Sequence, residues 1–392
     1  MERTLSLKVT LETVTPLFLA GADPRGEPEL RPPSFRGALR YWLRAAIGGV
    51  IGDQDIQSLR DMEEAVFGST ERGSPIQVRL FSRGLPNPDR RQPVKDRSHP
   101  PPGRDYLYWS MDESGRRGEA NYQPERRFYP PGASFDLRLR ALPSFQDSAD
   151  SLSRVRAALW LLVQLGGIGS RSRRTAGSLH VAKEKESVSG PHFVLRCTDV
   201  QGASRELGVG LTTVRRLLLD APAPSIHAPS SFDILHPNTC RVWVLGLWKT
   251  AMEAVDAIGA SLRDFRSRRE PDHRNVIRWL NGMSIDTIER AVFGLPITYR
   301  YSSTRVSGTV QAQAAREVID RRASPLWLRI SKINGGYIGV ATLFKSRLLP
   351  VGARLYAKTK QGAATVDPPE DYSLIERWIV ESFPHREEVS YG

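Results

Sequence analysis

Residues 30–47 read LRPPSFRGALRYWLRAAI, and they predict the first helix of the chain. Pro32-Pro33-Ser34 is typical of a helix start, with Ser34 as the N-cap, so the helix is expected over 35–47. Apolar side chains recur at helical spacing within it and predict a buried stripe, which consists of Leu39, Trp42, Leu43, Ala46 and Ile47. Upstream, residues 5–15 alternate apolar and polar side chains and predict a half-buried strand. The stretch therefore indicates a strand followed by an amphipathic helix.

A second face of this helix carries only positive charge. Arg36, Arg40 and Arg44 lie at i, i+4 and i+8, where like charges oppose a helix unless an anion offsets them. Gly37, in the first turn, costs about 1 kcal/mol relative to alanine and suggests that something approaches closely there. Free N–H groups at a helix N-terminus attract anions. We expect a phosphate at residues 34–37, or else simple packing of Gly37 on the strand.

A glycine-arginine loop follows a second predicted helix, over 151–165. Residues 166–177 read GGIGSRSRRTAG. Nucleotide-binding loops place the glycines between a strand and a helix, and this loop follows a helix and lacks Gly-Lys-Ser/Thr, so we do not expect it to bind a nucleoside triphosphate. Its backbone suits close approach to a phosphodiester chain. The candidate RNA-binding residues of the loop are Gly167, Gly169, Arg171, Arg173, Arg174 and Gly177.

Positive charge dominates the 392 residues. Lys+Arg number 56 against 43 Asp+Glu, a net charge of +13, and 47 of the cations are arginine. Arginine suits bidentate phosphate contacts, although a GC-rich genome also favours arginine codons. Two stretches, 30–52 and 151–183, contain no acidic residue at all. This placement predicts a polyanionic partner, and RNA is the expected one.

The predicted order of elements in the first half is β-α-β-β-α-β, with strands at 76–81 and 134–142 between the two helices and one more predicted strand at 106–109, inside an insertion. That order is typical of a ferredoxin-like domain. The tetrapeptide Ala-Val-Phe-Gly at 65–68 recurs at 291–294, which suggests a related second half. We therefore expect an α+β protein with two ferredoxin-like domains in tandem, 1–189 and 190–392. An insertion at 83–132, rich in proline and arginine, is expected to be a mobile loop ordered only by a partner.

Motifs of the common catalytic and metal sites are missing from the sequence. The two cysteines, Cys197 and Cys240, cannot form a four-thiolate zinc site, and no His-Glu-x-x-His or Gly-x-Ser-x-Gly occurs. No metal or other cofactor is expected. No apolar run of about 20 residues and no signal-peptide core occurs, so we expect a cytoplasmic protein without a membrane partner. His180, as a general acid/base, and Asp23, orienting a 2′-OH, are the only catalytic candidates, and ordinary structural roles are favoured for both.

Four stretches resemble the RAMP superfamily, and among its families the first subunits of the Cmr effector complexes of type III-B CRISPR systems are the most similar. The stretches are TPLFLAGADP at 15–24, ELRPPSFRGALRYWLR at 29–44, the glycine-arginine loop, and RRASPL at 321–326. The residues that match the family motifs are Arg36, Arg40, Tyr41 and Trp42 in the helix and Gly167, Gly169, Arg171, Arg173, Arg174 and Gly177 in the loop. The helical spacing of Trp42 favours a core position over base stacking. No aromatic RNP motif occurs on the strands, so backbone-led binding is expected.

The resemblance implies a non-catalytic RNA-binding subunit near the 3′ end of the CRISPR RNA, which assists the capture of complementary target RNA in antiviral defence. It implies the other Cmr subunits, both backbone and head RAMP proteins, as partners. The alternative is a metal-independent endoribonuclease of the same superfamily that processes CRISPR RNA, with His180 as its acid/base. A general DNA-binding protein is a third possibility, but no recognition-helix motif is present.

Overall fold

A computed structural model describes most of the chain. The described residues are 5–82, 84–90, 101–145, 147–185, 188–218, 225–267, 269–301 and 306–392. Part of the predicted insertion (83 and 91–100) lies outside the described residues, and so do residues 221–224 of the sequence APAPS, a second candidate for the linker between the domains.

The first half forms an antiparallel sheet with helices on one face. Its elements are β1 (Ser6–Thr13), α1 (Pro32–Ile51), α2 (Ile56–Phe67), β2 (Ile76–Phe81), β3 (Asp89–Arg90), α3 (Gly103–Tyr108), β4 (Arg127–Phe128), β5 (Ser134–Ala141), α4 (Ser148–Gln164) and β6 (Leu179–Lys185). The strand order is β2-β5-β1-β6. Because successive side chains of β1 point to opposite faces of the sheet, Leu7, Val9 and Leu11 all point into the core. They pack there with the apolar stripes of α1 and α4.

The second half repeats the same strand arrangement. Its elements are α5 (Val200–Leu218), β7 (Cys240–Trp248), α6 (Ala251–Arg266), α7 (Asp272–Leu280), β8 (Ile297–Tyr301), β9 (Val306–Ala314), β10 (Glu317–Ile319), β11 (Leu326–Ile333), β12 (Gly336–Phe344), β13 (Arg354–Thr359), β14 (Gly362–Val366), α8 (Ser373–Ser382) and β15 (Glu387–Glu388). The order β11-β12-β7-β15 again places the first strand between the third and the fourth. Strands β8, β9, β10, β13 and β14 form a separate sheet. The α+β class with antiparallel sheets is as predicted.

The prediction that residues 83–132 form a mobile loop is wrong for the part of them that the structure describes. Residues 106–109, predicted as a strand, belong to α3 and to the 3₁₀ turn after it. Helix α3 packs on α6 of the second half, where Gly103 and Gly259 face each other and a β-carbon on either would collide with the opposite backbone. The Arg104 Nε donates to Asp256 at 2.8 Å. The second half of the same chain therefore contacts this segment and holds it in place.

Helix α5 lies where the two halves meet. Leu207, Leu211 and Val214 of α5 share one core with α1 and α4 of the first half and with Val242 and Val244 of β7. The proposed boundary at 189/190 thus assigns to the second domain a helix that packs on both halves.

Candidate nucleic-acid interface

A cleft of about 320 Å³ opens between α1, the glycine-arginine loop and β11. Six of the residues predicted from the sequence line it, namely Ser34, Tyr41, Trp42, Gly167, Gly169 and Arg173. The second half contributes Trp327, which the sequence did not single out. Three segments that are distant in sequence therefore meet at one site.

The glycines of the loop allow it to pack tightly on residues 16–18. Gly169 (φ 85°) and Gly177 (φ 63°) both adopt the left-handed conformation. A β-carbon at Gly169 would collide with the Phe18 carbonyl, and the Gly177 N–H donates to Pro16 at 2.9 Å. The loop backbone is thus held in one conformation by residues of its own chain.

The same backbone leaves donors at the cleft. The N–H groups of Gly167 and Gly169 have no hydrogen-bond partner among the residues that the structure describes, whereas the intervening Ile168 N–H donates to the Gly177 carbonyl at 3.1 Å. Both glycines line the cleft. Unpaired backbone N–H groups next to a cation suit an anionic oxygen. This wall can therefore accept a phosphate.

Arg173 joins the loop to the opposite wall. Its guanidinium carbon lies 4.5 Å from the Trp327 ring centroid and 5.5 Å from that of Tyr41. It also donates to the carbonyl of Ser324, and its Nη2 lies 3.6 Å from Asp233 Oδ2. The charge lies over aromatic rings, as in cation–π pairs. Among the predicted loop arginines, Arg173 is the one that lines the cleft.

Aromatic rings and one carboxylate fix the far wall. The Tyr41 hydroxyl donates to Asp233 Oδ2 at 2.7 Å and accepts from Trp327 Nε1 at 3.1 Å. Burial, and then the nearby Asp233 charge, raise the pKa of Tyr41, so this phenol remains protonated. Trp42 is fully buried beneath Gly166, as its helical spacing predicted, and its ring centroid lies 5.3 Å from that of Trp327. The polar groups thus lock the rings in place.

The prediction that the basic face of α1 has no acidic partner is wrong. Glu63 of α2, which is 4% exposed, pairs with both Arg40 and Arg44, the latter at 3.3 Å. Arg36 donates to the Phe67 carbonyl, and burial lowers its pKa. These side chains fasten α1 to α2. An acid-free stretch of sequence is therefore not an acid-free surface, because the acid comes from a neighbouring helix.

The expected phosphate site at residues 34–37 loses its donors. Helix α1 begins at Pro32, three residues early, with Arg31 rather than Ser34 as the N-cap. Pro32 and Pro33 have no N–H, and the Ser34 N–H donates to the Arg31 carbonyl at 3.1 Å. Gly37 is exposed, and a β-carbon there would have no neighbour within 4 Å. Packing on the strand does not explain this glycine.

The other two loop arginines point elsewhere. The Arg171 Nε donates to the Leu107 carbonyl of α3 at 2.7 Å, and the Arg174 Nη2 donates to the Phe293 carbonyl at 3.0 Å. Burial, followed by the neighbouring Arg171 and Arg266 charges, lowers the pKa of Arg174. These contacts attach the loop to the insertion and to the second half. The prediction that both arginines contact RNA at the same place as Arg173 does not fit the described geometry.

The two catalytic candidates lie outside the cleft lining. His180 is on β6, and burial, together with the Lys332 charge, lowers its pKa. Asp23 Oδ1 accepts the Arg25 N–H at 2.8 Å, which is a turn-forming bond. In the part of the chain that the structure describes, three or more metal-ligating side chains do not cluster.

The sequence did not indicate Trp327, which lines the cleft, or Asp233, which contacts Tyr41 and Arg173. Trp327 directly follows the RAMP-like stretch at 321–326, so that stretch was its only signal. Asp233 lies in a loop before β7 and had none. A search of the described helices finds none that is long and apolar enough to cross a membrane.

Comparisons with known proteins agree with this architecture. The model of the RAMP superfamily matches residues 10–180. The Cmr subunit Cmr1-1 of Pyrococcus furiosus is 28% identical over 355 residues, 87% of this chain and 88% of that protein. Cmr1-2 of the same organism is 32% identical over 188 residues, 45% of this chain and 95% of that protein.

Solved structures share the fold over nearly the whole chain. The crystal structure of apo Cmr1 from Pyrococcus furiosus matches with a TM-score of 0.61 and 24% identity, covering 98% of this chain and 99% of that one. A chain of the type III-B Cmr-beta complex bound to cognate target RNA matches with a TM-score of 0.54 and 11% identity, covering 97% and 99%. The chain therefore belongs to the RAMP superfamily and, within it, to the Cmr1 family.

Proposed function

We propose that this chain is a non-catalytic RNA-binding subunit of a type III-B CRISPR effector and that the cleft is its RNA contact. One observation supports this proposal. The free N–H groups of the glycine-arginine loop, the Arg173 guanidinium and the Trp327 ring all line the same cleft. The relatives are Cmr subunits, and one structure with the same fold comes from a Cmr complex bound to target RNA.

The cleft suits the phosphate backbone of a nucleic acid. The N–H groups of Gly167 and Gly169, with Arg173, suit phosphate oxygens. Trp327, which is 7% exposed, and Tyr41 hold the Arg173 guanidinium in position beside these donors. None of these contacts reads a base edge, so we expect binding with little sequence preference. Such binding suits a subunit at the 3′ end of a CRISPR RNA that assists the capture of complementary target RNA, beside the backbone and head RAMP proteins.

The two halves serve this role as ferredoxin-like domains in tandem. Their sheets have the same strand order, β2-β5-β1-β6 and β11-β12-β7-β15, which supports the proposal of two related domains. The cleft lies where both domains contribute side chains. RNA binding is therefore expected to need the whole chain.

A salt titration tests the proposal. The full chain is titrated with a single-stranded RNA of 20 uridines between 50 and 300 mM salt. Arg173→Ala should weaken binding about tenfold and reduce the slope of log affinity against log salt by about 0.7, since one phosphate contact is lost. Arg205→Ala, at an exposed position on α5, removes the same charge and should change neither value.

The same incubations test the enzymatic alternative. With EDTA present, repeat RNA should remain intact over hours. Specific cleavage that His180→Ala abolishes would contradict the non-catalytic proposal, and equal slopes for Arg173→Ala and Arg205→Ala would contradict the cleft as the RNA contact.

A further inference from the structure

The first sheet has an open face that the cleft does not use. Leu7, Val9 and Leu11 of β1 point to the helices, so the alternate residues of β1, with their cross-strand neighbours, lie on the opposite face. In β5 the same alternation exposes Arg138, while Leu137 and Leu139 are buried. This face shares no residue with the cleft lining.

A row of four cations crosses this face. Arg79 of β2 lies opposite Arg138 of β5, Arg138 lies opposite Lys8 of β1, and Lys8 lies opposite Lys185 of β6. Adjacent strands are about 4.8 Å apart, so the row spans about 14 Å. All four residues are exposed. Two more cations occupy neighbouring rows, Arg140 opposite Ser6 and Lys183 opposite Thr10.

The acidic residues on this face leave most of the row unpaired. Asp136 pairs with Lys8 at 2.8 Å, and Glu12, at the end of β1, lies 3.8 Å from Lys332. Arg79, Arg138 and Lys185 form no ion pair with any residue that the structure describes. Directly opposed like charges destabilise a sheet. A bound polyanion would offset this repulsion, because its negative charges would attract each of the cations.

We propose that this basic sheet face (Lys8, Arg79, Arg138 and Lys185) binds the phosphate backbone of single-stranded RNA, at a second site that does not depend on the cleft. Phe81 follows Arg79 by two residues on the same face of β2 and is 43% exposed, so a base can stack on its ring. A protein partner fits less well, because the centres of protein interfaces are depleted of charge.

The experiment removes the three unpaired cations together. Arg79→Ala/Arg138→Ala/Lys185→Ala is titrated in the full chain with the 20-uridine RNA at several salt concentrations. The loss of three phosphate contacts should weaken binding at least about tenfold at low salt and lower the salt slope by about 2. The matched control, Arg205→Ala/Arg216→Ala/Lys358→Ala, removes two arginines and one lysine from exposed positions and should keep the wild-type slope.

Two further variants separate this site from the cleft and from folding. Phe81→Ala should weaken binding about tenfold, and Phe81→Tyr should restore it. The triple variant should have a melting temperature no lower than that of wild type, since it relieves repulsion. The change that it causes in the salt slope should add to the change caused by Arg173→Ala. A slope equal to that of the matched control overturns the proposal. So does normal RNA binding combined with lost association with other Cmr subunits, which would make the face a protein-docking surface.

Discussion

Trp327→Ala is expected to lower the free energy of unfolding by about 3–5 kcal/mol and to weaken RNA binding at least about tenfold. The ring is 7% exposed and packs against the rings of Tyr41 and Trp42 and against the Arg173 guanidinium. Its removal leaves a cavity in the cleft wall and deprives the Arg173 guanidinium of its support. Urea unfolding and RNA titration measure the two effects separately.

Two controls keep this result interpretable. Trp327→Phe retains an aromatic ring but loses the N–H that donates to the Tyr41 hydroxyl, so it should lose less stability and keep most of the RNA affinity. Trp109→Ala removes a tryptophan that is 64% exposed and lies outside the cleft lining. If Trp109→Ala weakened RNA binding as much as Trp327→Ala, the cleft would not be the RNA contact.

Gly177→Ala is expected to destabilise the chain by about 2–4 kcal/mol. The residue has a φ of 63°, which costs an alanine about 1–2 kcal/mol, and a β-carbon there would collide with the Ile168 carbonyl. The glycine-arginine loop would have to move away from residues 16–18, so the cleft would lose its shape as well. Urea unfolding gives the stability, and limited proteolysis should show earlier cleavage at the loop.

Gly37→Ala, in helix α1, serves as the opposite case. Gly37 lies in helix α1, and a β-carbon there would meet nothing within 4 Å. The substitution should therefore raise stability by up to about 1 kcal/mol through helix propensity. A loss of stability at Gly37, or none at Gly177, would contradict the assigned roles of these glycines.

Local patterns predicted the helices and strands of the first half well. Helix α1 starts three residues earlier and ends four later than expected, and α4 covers 148–164 against a predicted 151–165. Periodicity is a local property, so a single sequence carries it. The failure at 106–109 has a tertiary cause, because Gly103 allows α3 to lie directly on α6.

Charge was predicted less well than periodicity. The two acid-free stretches suggested unpaired surfaces, yet Glu63 pairs with Arg40 and Arg44, and Glu184 accepts from the buried Arg156 at 2.8 Å. Such pairs join residues that are distant in sequence, so composition along a stretch cannot show them. The cleft could not be predicted for the same reason, because Trp327 and Asp233 contact Arg173 only through the packing of the two halves.

Photo-crosslinking of the full chain tests the central claim most directly. A single-stranded RNA containing 4-thiouridine is bound at low salt, irradiated and digested, and the attached peptides are identified by mass spectrometry. Crosslinks to Trp327 or Tyr41, lost in the presence of excess unmodified RNA, are the predicted result. Crosslinks that map only outside the cleft lining, and that persist unchanged in Arg173→Ala, would contradict the cleft as the RNA-binding site.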